Sequence, residues 1–309
     1  MKTSIAIVSL AALSACMAGV AEARPGSSLA PVGPYHLSPA RGPLRPVDLA
    51  PFKGRASSEI LAGPSSGLDS SWVIYTRLAA HTLPQGAISL PVDHTFLVLK
   101  GSLDIEIGDE RFTLKPETLA LIPAGVPHRV WNAGGEEDAA LEVVTPAPTR
   151  DLASLFRPAT PRKIEHAAQY VRVAPPLGQL VSGTGHASLN ERVLASRATG
   201  SAHVLERLND MLPGGGRSET HLHPFDQVYF VRRGEMTVQY GMASYQAPAN
   251  TLVVLPIGVA HNNLNNSNQV QSIVTLLLPE PEKGKPLGAG VTMTMTGGGT
   301  PPSSPKHED

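Results

Sequence analysis

The sequence predicts an all-β chain: two similar β domains in tandem behind an extended N-terminal arm. Three observations point there. Twenty-nine Gly and 29 Pro punctuate runs rich in Val, Leu and Thr, the pattern of many short strands separated by turns. These runs fall into two sets, and the two sets are copies. An offset of 133 residues aligns, without a gap, Pro91 with Pro224, Asp93 with Asp226, Val98 with Val231, Gly101 with Gly234, Thr118-Leu119 with Thr251-Leu252, Pro123 with Pro256, Gly125 with Gly258, His128 with His261 and Asn132 with Asn265. One register held over that length marks an internal duplication.

Residues 1–23 show Lys2, an apolar run from Ile5 to about Val20 and then Ala21-Glu22-Ala23 before Arg24, the three regions of a secretory signal. They predict a periplasmic or secreted protein. Leu13-Ser14-Ala15-Cys16 also resembles a bacterial lipobox, which would make residues 1–15 the signal and Cys16 a lipid-bearing first residue. Cys16 is the single cysteine of the chain, so disulfides do not staple the fold. The apolar run is short for a membrane span.

Residues 24–58, rich in Pro, Gly and Ser, read as an extended arm. The first domain, 59–148, carries the strand-like WVIYTRLAA, HTFLVLKG, SLDIEIG, TLALIP, HRVWN and ALEVV. A linker, 149–187, has one or two short helices expected in DLASLFR and KIEHAAQYVR. The second domain, 188–280, repeats the strands as HVLERLND, DQVYFVRRG, MTVQYG, TLVVLP and SIVTLLL. The tail, 281–309, with GGGTPPSSP, is expected to be disordered. With 25 Lys+Arg against 26 Asp+Glu, the chain has no electrostatic footprint for nucleic acid or an anionic membrane.

In THLHPFDQVYFV, residues 220–231, His221 and His223 stand two apart, so on a strand both imidazoles face one side. Gly215, His221, His223, Gln227 and Gly234 follow the spacing G-x5-H-x-H-x3-Q-x6-G, and Pro256, Gly258, His261 and Asn265 follow P-x-G-x2-H-x3-N. With these two motifs the chain resembles a bicupin of the cupin superfamily. Gln227 stands where Glu is usual, and Asn250 where a Gly usually opens the second motif. The resemblance implies two jelly-roll barrels, a small-molecule substrate, quercetinase-like dioxygenase chemistry and a homodimer as a plausible assembly. It also implies one divalent transition metal on His221, His223, Gln227 and His261. Three imidazoles and an amide oxygen suit Mn, Fe, Ni, Cu or Zn, whereas Ca or Mg would want more oxygens.

Gln227 leaves the metal's divalent charge uncancelled, which strengthens Lewis acidity, and it cannot act as a base. If the strands are regular, Glu219 and Tyr229 share the inward parity of the ligands, and either is a candidate general base. Asn265 reads as a turn-stabilising residue. In the first copy Ile88 and Leu90 replace the strand histidines, His94 replaces Gln227 and His128 is retained. That domain is expected to be structural, or else a weak two-His site completed from elsewhere. His36, His81, His166, His186, His203 and His307 lie outside both motifs and read as incidental. Three functions compete: a dioxygenase, a non-redox lyase, isomerase or hydrolase, and a non-catalytic module that binds metal or ligand.

Overall fold

The computed structural model describes residues 42–285 and 288–291. The signal, Cys16 and the start of the arm lie outside the described residues, as do residues 292–309 of the tail. The arm contributes β1 (Leu44–Pro46). The first half contains β2 (Ala56–Ala62), β3 (Trp72–Leu78), β4 (Ile88–Ser89), β5 (Asp93–Lys100), β6 (Leu103–Ile107), β7 (Glu110–Leu114), β8 (Thr118–Ile122), β9 (His128–Trp131) and β10 (Asp138–Thr145). The linker adds β11 (Arg157–Pro158) and β12 (Val171–Val173). The second half contains β13 (Asn190–Ala195), β14 (Leu205–Met211), β15 (Gly216–Leu222), β16 (Asp226–Arg233), β17 (Glu235–Tyr240), β18 (Ala243–Pro248), β19 (Thr251–Leu255), β20 (His261–Leu264), β21 (Gln271–Leu278) and finally β22 (Ala289–Gly290). The helices expected in the linker are single 3-10 turns, at Leu152–Leu155 and Ala167–Tyr170.

Each half is two facing antiparallel sheets. The first has β12-β8-β5-β10-β3-β2 opposite β11-β4-β9-β6-β7, and the second β1-β19-β16-β21-β14-β13 opposite β18-β17-β20-β15-β22. The duplication is exact at the level of elements: β3, β5, β8, β9 and β10 each map onto β14, β16, β19, β20 and β21 at the 133-residue offset. Strands outside the motifs complete the sheets. β1 of the arm extends the second half by pairing with β19, with Leu44 opposite Val253, and β12 of the linker extends the first by pairing with β8.

The central strands are buried over most of their length, β5 and β16 from their first residue through Val98 and Val231, because both of their faces are covered. Phe96 and Val98 of β5 point into the first barrel, while Leu97 between them joins the cluster that packs the halves together. Tyr229 and Val231 of β16 fill the second barrel, and Val228 and Phe230 join the same shared cluster. Strands covered on both faces read as continuous apolar runs rather than alternation. Tyr75 stacks on Phe230 across this interface, with ring centroids 5.9 Å apart.

Reciprocal polar contacts fix how the halves meet. Ser201 Oγ donates to Asp93 at 2.6 Å, and Ser70 Oγ donates to Asp226, the duplicate of Asp93, at 2.9 Å. Glu117 of the first half accepts from Arg192 and Arg232 of the second, and Arg192 also reaches Asp210 at 2.8 Å. Glu117 and Asn250 occupy duplicate positions and share a left-handed backbone, φ 65° and 62°. That conformation explains why glycine is usual at this place in the second motif.

Candidate metal centre

The site is built from the ends of three strands of the second barrel. His221 is the penultimate residue of β15, His223 lies just beyond its end, Gln227 is the second residue of β16 and His261 is the first of β20. The Pro256-Ile257-Gly258 turn delivers His261. Gly258 takes φ 76°, and its N–H donates to the His223 carbonyl at 2.9 Å, which ties the two motifs together. One ligand atom from each of His221, His223 and His261 lies within 4.8 Å of the others, and all three residues are buried.

Hydrogen bonds settle which nitrogen faces inward. His221 Nδ1 donates to the Glu219 carbonyl at 2.8 Å, and His261 Nδ1 donates to the Val259 carbonyl at 2.8 Å. Each neutral ring therefore presents its Nε2 lone pair, the arrangement by which backbone acceptors orient imidazole ligands. Burial keeps both rings neutral. It pushes His221 down to about 4 against the opposing carbonyl bond, with Arg217 adding to the effect. Burial, then the neighbouring His221, hold His261 down at about 3. Gln227 Oε1 lies 2.9 Å from His261 Nε2. The ring nitrogen has no proton to give, so two acceptors meet unless the amide turns its NH2 inward or a cation stands between them. A donor set of three imidazole lone pairs and one amide oxygen fits a divalent transition metal, with His221, His223, Gln227 and His261 as the residues that would hold it.

The two candidate bases fare differently. Glu219 is exposed and does not line the cavity. The regular strand assumed for it breaks here, because the four-residue step from Arg217 to His221 in β15 faces only the two-residue step from Asn263 to His261 in β20. A bulge of this kind re-aims side chains, and it leaves the Glu219 backbone carbonyl, not its carboxylate, in contact with the site. Tyr229 does line the cavity. It is buried, its hydroxyl donates to Asn263 Oδ1 at 3.3 Å, and burial pushes the phenol well above its usual range. It is a poor proton acceptor in this state.

Residues outside the motifs complete the surroundings. Arg207 and Arg217 line the cavity, and Arg217 Nη1 contacts Nε2 of His186, one of the histidines that read as incidental, at 3.2 Å. Arg207 Nε, Asn209 Oδ1 and Thr275 Oγ1 line or approach the same space, buried and without hydrogen-bond partners among the described residues. The cavity itself measures about 30 Å³, room for a water. A recess of about 700 Å³ adjoins it across His223, walled by Phe225, Ile257, the stretch from Pro279 to Glu282, and Gly288 and Ala289. Ala289 opens β22, which pairs with β15 at His221 and Leu222. The tail therefore begins as a strand beside the ligands, where disorder was expected. Arg207 and Asn209 come from β14 and Thr275 from β21, and no motif spacing signals them.

In the first barrel both histidines are occupied. His128 Nδ1 donates to the Val126 carbonyl at 2.9 Å, His128 Nε2 lies 3.0 Å from His94 Nδ1, and His94 Nε2 lies 3.0 Å from Glu142 Oε2. No ring nitrogen remains for a metal. Among the described residues no helix is long and apolar enough to cross a membrane.

Comparison with known proteins agrees with the architecture. The family profile described as Cupin domain matches residues 81–145 and 208–277, once in each half. A search of the curated proteins finds no match. Among solved structures the chain is similar to AerE from Microcystis aeruginosa, at 15% identity over 77% of this chain and 97% of that one, with a TM-score of 0.55. It is similar to oxalate decarboxylase from Bacillus subtilis, at 13% identity over 81% and 79% of the two chains and a TM-score of 0.55. It is also similar to salicylate 1,2-dioxygenase from Pseudoaminobacter salicylatoxidans, at 13% identity over 74% and 76% and a TM-score of 0.56. At these identities the likeness is one of fold. With a cupin domain in each half and the three-histidine cluster in the second, the chain belongs to the cupin superfamily as a bicupin.

Proposed function

We propose that the second barrel is the centre of a metal-dependent enzyme acting on a small, oxygenated, anionic organic molecule, with dioxygenase-type cleavage as its chemistry. The observation that carries this reading is the convergence of His221, His223 and His261 on one buried point, with Gln227 Oε1 beside it. A divalent transition metal would supply Lewis acidity there, and a redox-active one would supply electrons to dioxygen. The chain's own residues would do the rest. Arg207 and Arg217 bring positive charge to a low-dielectric cavity, which favours a substrate that arrives as a carboxylate, enolate or dicarbonyl anion. Phe225 and Ile257 give the adjoining recess apolar walls that exclude water from the carbon skeleton.

The non-redox lyase or isomerase reading needs a protein base, and it loses support because Glu219 faces solvent and Tyr229 holds its proton. Gln227 remains the feature in its favour. A non-catalytic module is the third reading. Metal analysis of residues 24–309, expressed in several metals beside the His221→Ala/His261→Ala double variant, separates them. About one equivalent of Mn, Fe, Ni or Cu, lost in the variant, with oxygen uptake in a screen of small anionic substrates, is the expected result. Zinc alone, with turnover and no oxygen uptake, would favour the non-redox form. No metal under any condition would overturn the enzyme reading. We further propose export directed by residues 1–23, or by residues 1–15 with lipid on Cys16; fractionation of cells expressing the full chain and its Cys16→Ser variant tests both.

A further inference from the structure

The first barrel has lost a metal site, yet its interior is hollow. A cavity of about 120 Å³ stands over the His128–His94–Glu142 chain, walled by Ile74, Leu78, Phe96, Val130 and Phe156. Its lining includes two exposed apolar side chains, Leu83 at 64% and Ile60 at 37%. Leaving such groups in water has a hydrophobic cost that a ligand would relieve. In size the cavity is close to the roughly 150 Å³ apolar void that takes up benzene in another protein. It therefore matches a single six-membered ring.

The polar end of the cavity selects among ring compounds. Counting protons along the chain, the Val126 carbonyl accepts from His128 Nδ1, so His128 Nε2 accepts from His94 Nδ1. One proton is then shared between His94 Nε2 and Glu142 Oε2. The pair is neutral overall, which spares the barrel an unpaired buried charge. Glu142 is 7% exposed and lines the cavity, and its second oxygen, Oε1, makes no hydrogen bond among the described residues. Its lone pairs can accept a hydrogen bond from a group inside the cavity. Neither nearby cation reaches Oε1: Arg129 donates from Nη2 to Glu106 and from Nη1 to the Gln85 carbonyl, with its buried Nε unpaired among the described residues, and Arg55 is exposed.

We propose that the first barrel binds a neutral single-ring phenol, with its ring in the Ile74–Phe156 cavity and its hydroxyl donated to Glu142 Oε1. The site is separate from the metal centre and does not depend on it. Titration calorimetry on the metal-stripped chain, with phenol, benzene and benzoate as probes, tests the proposal. Phenol should bind with a Kd of about 0.1–1 mM, in the range open to a ligand of that size. Benzene should bind about tenfold more weakly, and benzoate should not saturate, because its carboxylate would face that of Glu142. Ile74→Phe and Leu78→Phe each fill the cavity from a different strand, and either should abolish phenol binding. Glu142→Leu, which keeps the bulk and removes the acceptor, should bring phenol down to the affinity of benzene while leaving benzene unchanged. Failure of the wild-type chain to saturate with phenol would overturn the proposal, as would undiminished binding in a folded cavity-filled variant. Equal affinities for phenol and benzoate would overturn the assignment of Glu142.

Discussion

Glu206 offers the sharpest test of how the two halves are held. It lies on β14 at 0% exposure, with Oε2 accepting from Thr95 Oγ1 of the first half at 3.1 Å and Oε1 unpartnered. Burial pushes its carboxyl up to about 8, and the single hydrogen bond from Thr95 opposes this only weakly. In the unfolded chain it titrates near the ordinary glutamate value. Between about pH 4.5 and pH 8 the folded state therefore keeps a proton that the unfolded state has lost, and stability must fall as pH rises, by about 1.4 kcal/mol per pH unit. Across that window the loss approaches about 5 kcal/mol, an upper bound that water entry would reduce. Below the window both states are protonated and the slope vanishes, and above it both are ionised. Glu206→Gln keeps the shape and the Thr95 contact and removes the titration. Urea unfolding at pH 5, 7 and 9 should show the wild-type midpoint falling progressively relative to that of Glu206→Gln, a difference in which the opposite slope of the buried neutral histidines cancels, and Glu206→Gln should be the more stable protein at pH 9. Parallel pH profiles for the two proteins would refute the reasoning, since the slope would then belong to other groups.

Asn132 and Asn265, duplicates of each other, both bridge a strand end to a loop; Asn265 donates to the Met211 and Gln269 carbonyls and accepts from Ser267. Asn265→Ala should lower stability by about 2–4 kcal/mol in urea titrations, through stranded buried acceptors, while metal content per folded chain stays at the wild-type level. Glu117→Ala removes the acceptor shared by Arg192 and Arg232 and should cost about 2 kcal/mol. Burial alone would raise Glu117, but hydrogen bonds and charge from the two arginines hold it down at about 2. Its contribution is thus complete above about pH 4.5 and is lost as pH falls towards 2, so the variant should show less acid sensitivity in a thermal scan between pH 5 and 3. A Cβ at Gly288 would lie 2.3 Å from the Leu222 carbonyl oxygen and 2.7 Å from His223 Nδ1. Gly288→Ala should lift β22 away from β15 and turn His223, weakening metal binding about 10- to 100-fold in a chelator competition, with little change in the urea midpoint.

Much of this protein was legible in its residues. The 133-residue offset in prolines, glycines and aspartates carries over to strand boundaries because each copy folds around the same local turns, and the two motif spacings brought His221, His223, Gln227 and His261 to one point. Local rules sufficed there, since alternation along a strand and a tight turn at Gly258 are properties of neighbouring residues. Those rules failed wherever a distant partner intervened. Alternation placed Glu219 inside, but β15 carries extra residues relative to β20, so the carboxylate faces solvent and Arg217 lines the cavity. The arm, the linker and the tail had no strand periodicity, and β1, β12 and β22 exist because the edges of β19, β8 and β15 supply unpaired backbone groups for them. Nor could sequence spacing join Glu142 to His94, 48 residues away, or Glu117 to Arg192, 75 residues away. The sequence by itself determined the repeat, the barrels and the convergence of His221, His223, Gln227 and His261, which rest on local periodicity and turn chemistry. Only the tertiary structure decided which charges face the cavity, which histidines are already spent and what seals the edges, because those depend on strand register and on partners far apart in the chain.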